Sequence, residues 1–186
     1  MEKLRKQKDY DGNPVGLPKE VAEEVANLLD RHLSAHFILY QQYHKHHWLV
    51  EGPQFRDLHL FFEENYDQVH ETYDALAERL TVMGYAPTCH PANMVKLSYL
   101  DHEEEGVFRI RDMLKRDMAA EKQIAIELRK SIKKVFELND FATKKMLEGF
   151  LFETEDRAHH IEHFLGEDTL AVGLTISEKE MLNSDN

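Results

Sequence analysis

An all-α helical bundle is the fold the sequence predicts, and three observations predict it. Glycine and proline are sparse, 8 and 5 in 186 residues. Charged residues make up 31 %, a composition that favours long, solvent-flanked helices over an all-β chain. Four long stretches then repeat apolar residues at steps of three and four, the period of an amphipathic helix.

The first stretch begins after Pro18, a residue favoured at a helix start, and runs through Val21, Val25, Leu28, Leu33, Leu39 and Tyr43 until Gly52-Pro53 ends it. The second is the most regular. Phe55, Leu58, Phe62, Tyr66, Val69, Tyr73, Leu76, Leu80 and Met83 seal one face of a helix of about thirty residues, stopped near Gly84. A longer connection follows over residues 85–105, carrying Pro87, Pro91 and a short helix expected from Ala92 to Leu100. The third long helix is expected from Gly106 to Leu138, where Asn139-Asp140 break it. Asp140 can then cap a fourth reaching Leu165. A four-helix bundle with a short helix in the long connection between helices 2 and 3 is the natural assembly, because that connection can cross the bundle. Residues 1–17 read as a flexible basic arm, 18–165 as the bundle, and 166–186 as an acidic tail.

Composition also excludes functions. The single cysteine, Cys89, rules out a disulfide framework and a cysteine zinc site, and points to a reducing, cytoplasmic compartment. No apolar run is long enough to span a bilayer, and the amino terminus lacks the apolar region of a signal peptide. A net charge of −12 should repel nucleic acid and attract cations. The exception is the arm, where Lys3, Arg5, Lys6 and Lys8 face only Glu2 in the first eight residues and can touch phosphate.

The chemistry concentrates between Tyr43 and Arg79. With His59 as zero and about 100° per residue, His70, Glu63, Asp74 and Glu78 fall within one arc of the second helix, beside the apolar stripe. His47 arrives from the end of the first helix. Singly, an acidic residue on a charged helix is a solvated group and a histidine beside a stripe is an interface residue. Jointly, five histidines (44, 46, 47, 59 and 70) within 27 residues, alongside phased carboxylates, point to metal. Mixed imidazole and carboxylate donors suit iron, with zinc or manganese as competitors. His59 and Asp74, however, lie about 22 Å apart along one helix, whereas two metals sharing a site sit about 4 Å apart. The candidates therefore form two half-sites. Two such helices packed antiparallel about a twofold axis would make two identical sites, each completed by a second chain.

In these residues the chain resembles the Dps family of ferritin-like miniferritins. The family pattern, HW, then G and F, then LHxxxD, then DxxxER, is here His47-Trp48, Gly52, Phe55, Leu58-His59-Glu63 and Asp74-Glu78-Arg79 with its spacing kept. The resemblance implies a ferritin-like bundle and a hollow homododecamer. Its di-iron sites, at twofold interfaces, oxidise Fe(II), preferentially with hydrogen peroxide over oxygen, and ferric mineral is stored inside against oxidative stress. Carried over, His47, His59 and Glu63 come from one chain and Asp74 and Glu78 from its partner, with Trp48 beside the site either as an electron donor to stray radicals or as an anchor for the helix end. Two departures matter. Glu63 stands where the family has Asp. His70, one turn before Asp74, sits at a position that does not usually supply a ligand, and an added nitrogen there would favour zinc.

Other readings are a DNA-shielding assembly, for which the basic arm is the only support, and a conventional ferritin with metal inside each bundle. The latter wants Glu-x-x-His pairs, and the chain offers only Asp67-x-x-His70 and Asp156-x-x-His159. His44 and His46 beside the HW pair read as solvent-facing or interface groups, and His159, His160 and His163 on the fourth helix as surface or interior-lining groups. Glu137 and Asp140 are candidates to line a pore through which iron enters.

Overall fold

The computed structural model describes residues 2–166; the acidic tail from residue 167 lies outside the described residues. Five helices are formed: α1 (Lys19–Leu49), α2 (Phe55–Val82), α3 (Pro91–Leu97), α4 (Ile110–Glu137) and α5 (Phe141–Leu165). No strand occurs among the described residues. The four long helices match the four apolar stripes. α4 starts four residues after Gly106, which adopts a φ of +127°, and Val107 and Phe108 stay exposed in the connection. α3 closes at Leu97 because Ser98 turns out of the helix and its hydroxyl caps the Leu100 amide.

The stops after α2 and α4 are left-handed caps of the same type. After α2 the Tyr85 amide bonds the Leu80 carbonyl and the Gly84 amide bonds that of Thr81, with Gly84 at φ +85°. After α4 the pattern repeats on Val135 and Phe136, with Asn139 at φ +60° in the glycine position. Gly84 has a second reason to be glycine. A Cβ there would stand 2.1 Å from the Gly12 carbonyl oxygen, because the amino-terminal segment closes over this turn. Tyr10 packs on Tyr85 at 5.3 Å, the Asp11 amide bonds the Gly84 carbonyl, and Gln7 bonds that of Ala86.

Topology follows from the cross-helix bonds. Ascending α1, residues 24, 32, 43 and 46 meet α4 residues 134, 131, 121 and 117 in descending order, so the two run antiparallel. α2 and α5 are antiparallel by the same test, Arg79 meeting Thr143 and Thr72 meeting Glu153. The connection over 85–109 therefore travels the length of the bundle along α1. It touches Asp30 through Thr88, His32 through Tyr99, and His46 through Glu103.

The interior is not wholly apolar. The three-four stripe of α1 reads Val25, Leu29, His32, His36, Leu39, Tyr43, His46, Val50, and all eight are buried. Asp117 and Glu121 continue the stripe of α4, and Thr154 and Arg157 that of α5. A polar layer thus crosses the bundle, and every carboxylate oxygen in it is taken. Asp117 accepts from Gln42 (2.7 Å) and pairs with His46 Nδ1 (2.8 Å). Glu121 accepts from Tyr43 (2.7 Å) and from Arg157 through both Nε (2.7 Å) and Nη2 (3.1 Å). Among the described residues no helix is long and apolar enough to cross a membrane.

Candidate metal centre

His47 lies in the last turn of α1 and His59 in the second turn of α2, joined by five residues that turn through Gly52 at φ +105°. This tight return sets the two imidazoles face to face, centroids 3.7 Å apart and planes 21° apart. Their outer nitrogens are locked reciprocally. His47 Nδ1 lies 2.9 Å from the His59 carbonyl oxygen, and His59 Nδ1 lies 2.9 Å from that of His47. A carbonyl only accepts, so each Nδ1 carries the proton and each Nε2 presents a lone pair. Such a carbonyl behind a ligating imidazole fixes its tautomer and orientation.

Glu63 completes the group one turn along α2. Donor atoms of His47, His59 and Glu63 all lie within 4.8 Å of one another, all three residues are half-buried, and this is the only such group of three among the described residues. The Tyr66 hydroxyl donates to Glu63 Oε1 across 3.4 Å. Burial first, and the Glu63 charge second, push the Tyr66 phenol above its ordinary range, so it stays protonated and can go on donating.

Asp74 and Glu78 are not brought to this cluster. They stand exposed further along the same unbroken helix, outside the group that shares one point. His70 is exposed too, and its ring lies 5.4 Å from Tyr40 and 6.3 Å from Tyr73. Trp48 is 65 % exposed and stacks on His44 at 5.2 Å and 11°, and His44 in turn lies 4.0 Å from the Tyr66 ring. An aromatic row therefore leads from Trp48 through His44 and Tyr66 to the face of His47, 5.3 Å away.

Several sequence readings need correction. His46, read as a surface or interface residue, is fully buried between Asp117 and Glu103. Burial alone would lower its pKa, but the two carboxylates outweigh it and hold the imidazolium to about 9. Asp140 cannot line a pore, since it is buried, caps α5 through the Thr143 amide and binds Arg79 Nη2 at 3.0 Å. Arg79, the last residue of the DxxxER pattern, is thus a brace between α2 and α5. The pairs Asp67/His70 and Asp156/His159 are exposed, and the bundle interior is filled by Arg157 and saturated carboxylates. Geometry does not support metal inside the bundle. The polar layer itself went unforeseen in the sequence, although Asp117 and Glu121 sit on the three-four spacing of the α4 stripe and so mark themselves as interior.

Comparison with known proteins agrees with this arrangement. The ferritin-like domain of the Ferritin family matches residues 26–171. A nutrient stress-induced DNA-binding protein of Synechococcus is 43 % identical over 158 residues, 85 % of this chain and 90 % of that protein. The DNA protection during starvation protein of Halobacterium salinarum is 42 % identical over 149 residues, 80 % of this chain and 82 % of that one. The crystal structure of an archaeal Dps homologue from the same organism superposes with a TM-score of 0.87 at 37 % identity, covering 91 % of this chain and 95 % of that one.

Proposed function

The chain belongs to the Dps family of ferritin-like proteins, and on that premise we propose that it oxidises Fe(II) and stores the ferric product. The observation that carries this reading is the pair of carbonyl-locked imidazoles, whose Nε2 lone pairs converge with Glu63 and leave the remaining coordination positions open. The site is completed across a twofold interface by the partner subunit's Asp74 and the partner subunit's Glu78, within a homododecameric shell. Iron enters as substrate. His47 and His59 bind it through Nε2, Glu63 supplies charge, and the Tyr66 hydroxyl steadies the carboxylate. Two Fe(II) give one electron each to a hydrogen peroxide, its O–O bond breaks, and with two protons the products are two Fe(III) and two waters. A hydroxyl radical that escapes meets Trp48, which gives up an electron and its indole proton and leaves water.

His70 adds a nitrogen on the Asp74 side of the shared site and shifts its preference toward zinc. His70→Ala should lower the Zn(II) affinity more than the Fe(II) affinity, and equal losses would remove His70 from the site. The principal test is anaerobic Fe(II) titration followed by hydrogen peroxide or oxygen, reading ferric absorbance. Oxidation no faster than in a protein-free control would overturn the proposal.

A second reading rests on the names of the two relatives and on the exposed basic arm. In it the assembly shields DNA through Lys3, Lys6 and Lys8, while Arg5 pairs with Asp11. Retardation of DNA in a gel that fades with rising salt supports it, and no retardation at low salt removes it.

A further inference from the structure

One cluster of metal-ligating side chains is untouched by this function. His159 and His163 stand one turn apart on the exposed outer face of α5, near its end. Their Nε2 atoms lie 3.1 Å apart, with ring centroids at 4.4 Å. Metal–imidazole bonds of about 2.0–2.1 Å close on nitrogens 3.1 Å apart at about 98°, between the right angle of a square-planar ion and the tetrahedral value.

The convergence of the two Nε2 atoms marks them as the ligating nitrogens. The Glu162 carboxylate lies 3.9 Å from His159 Nδ1, the ring nitrogen that does not meet His163. At that distance it is a charge contact and not a hydrogen bond, and it puts a negative charge beside the pair that favours a bound cation. The pair opens beside a cleft of about 410 Å³ between α4 and α5, lined by His159, Glu162, Glu155, Glu121, Lys122 and Arg129. Arg129 is neutralised there by Glu155 at 2.6 Å. His160, the neighbour, points elsewhere and sits 3.9 Å from Asp156.

We propose that His159 and His163 form a bidentate chelate for a late first-row divalent cation, separate from the His47–His59–Glu63 centre. Two imidazoles with solvent in the other positions suit Cu(II) and Zn(II), and Cu(II) binds more tightly. The hydrogen bond that the two rings share without metal is exchanged for two metal–nitrogen bonds, the Nε2 proton that made it passing through solvent to that ring's own Nδ1 and two waters leaving the cation.

The test is equilibrium dialysis of the full-length protein against Cu(II), with electron paramagnetic resonance of the bound ion. His159→Gln and His163→Gln should each remove one Cu(II) per chain relative to wild type. His160→Gln should remove none, and the resonance of the lost fraction should show two equatorial nitrogens. All these side chains are exposed, so folding is not at stake. Unchanged binding in His159→Gln and His163→Gln, or an equal loss in His160→Gln, would overturn the proposal.

Discussion

α1 carries two sets of histidines that differ in one respect, and the difference decides what each set does. On its inner face His32 and His46 are buried with both ring nitrogens bonded to groups from the rest of the bundle, while His36, also buried, bonds only the His32 carbonyl of its own helix among the described residues. His32 is bonded by Tyr99 and Ser131, and His46 by Asp117 and Glu103. On its outer face His47 has one nitrogen bonded to a carbonyl and the other free, opposite His59 and Glu63. The residue types are alike on both faces. The saturated pair His32 and His46 holds elements of the bundle together, whereas the converging lone pairs of His47 and His59 are what the proposed function needs to take up metal.

The sharpest way to break this contrast is to remove one converging imidazole. His59→Ala should cut Fe(II) oxidation by more than roughly 100-fold, since losing even an outer partner of a ligand costs about 10–100-fold. Stopped-flow ferric absorbance reads it, and a loss below tenfold would mean the cluster is not the reacting site. The inner network answers to a different readout. Glu121→Ala strands the Arg157 guanidinium in the interior and should cost about 3–5 kcal/mol of stability, measured by denaturant titration. The folded fraction should still bind iron with the wild-type stoichiometry.

pH divides the inner face itself. His46 is held charged to about 9 against an ordinary 6.5, so its stabilisation is complete below 6.5 and is lost as pH rises through 9. Its size is on the order of 3 kcal/mol at about 1.4 kcal/mol per unit. His32 and His36 go the other way. Burial, with nearby positive charge, depresses them to about 4 and about 3. The unfolded chain takes up their protons below 6.5 and the folded chain does not, so stability falls from pH 6.5 downward. Thermal midpoints should peak near pH 6.5. His46→Gln should flatten the alkaline limb alone. The smallest expected effect is at Tyr66. Its bond to the Glu63 carboxylate is long at 3.4 Å, so Tyr66→Phe should weaken Fe(II) binding only about threefold, less than a well-formed hydrogen bond to a charged group would give. No change would make Tyr66 a packing residue.

Much of this was legible in the chain because helical periodicity is a local property. The α2 stripe from Leu58 to Met83 and the stops at Gly84 and Asn139 are written in neighbouring residues, and the structure has them. His47, His59 and Glu63 were equally legible, since a short turn and one helical step determine their meeting. The polar layer was not, because its members come from three helices. An Asp or Arg in a helix looks the same in sequence whether it faces water or a counter-charge across the core. His46 shows the difficulty best. It adjoins His47, but about 100° of helical turn sends it inward.

Under the proposed function metal goes to the outer cluster of converging lone pairs and not to the bundle interior, whose carboxylates are all taken. The most direct measurement is anomalous diffraction at the iron edge from crystals of the assembled protein soaked anaerobically in Fe(II). The account predicts iron against His47 Nε2, His59 Nε2 and Glu63, bounded on the other side by Asp74 of the partner subunit. Iron inside the bundle beside Glu121, or no iron between His47 and His59, would contradict it.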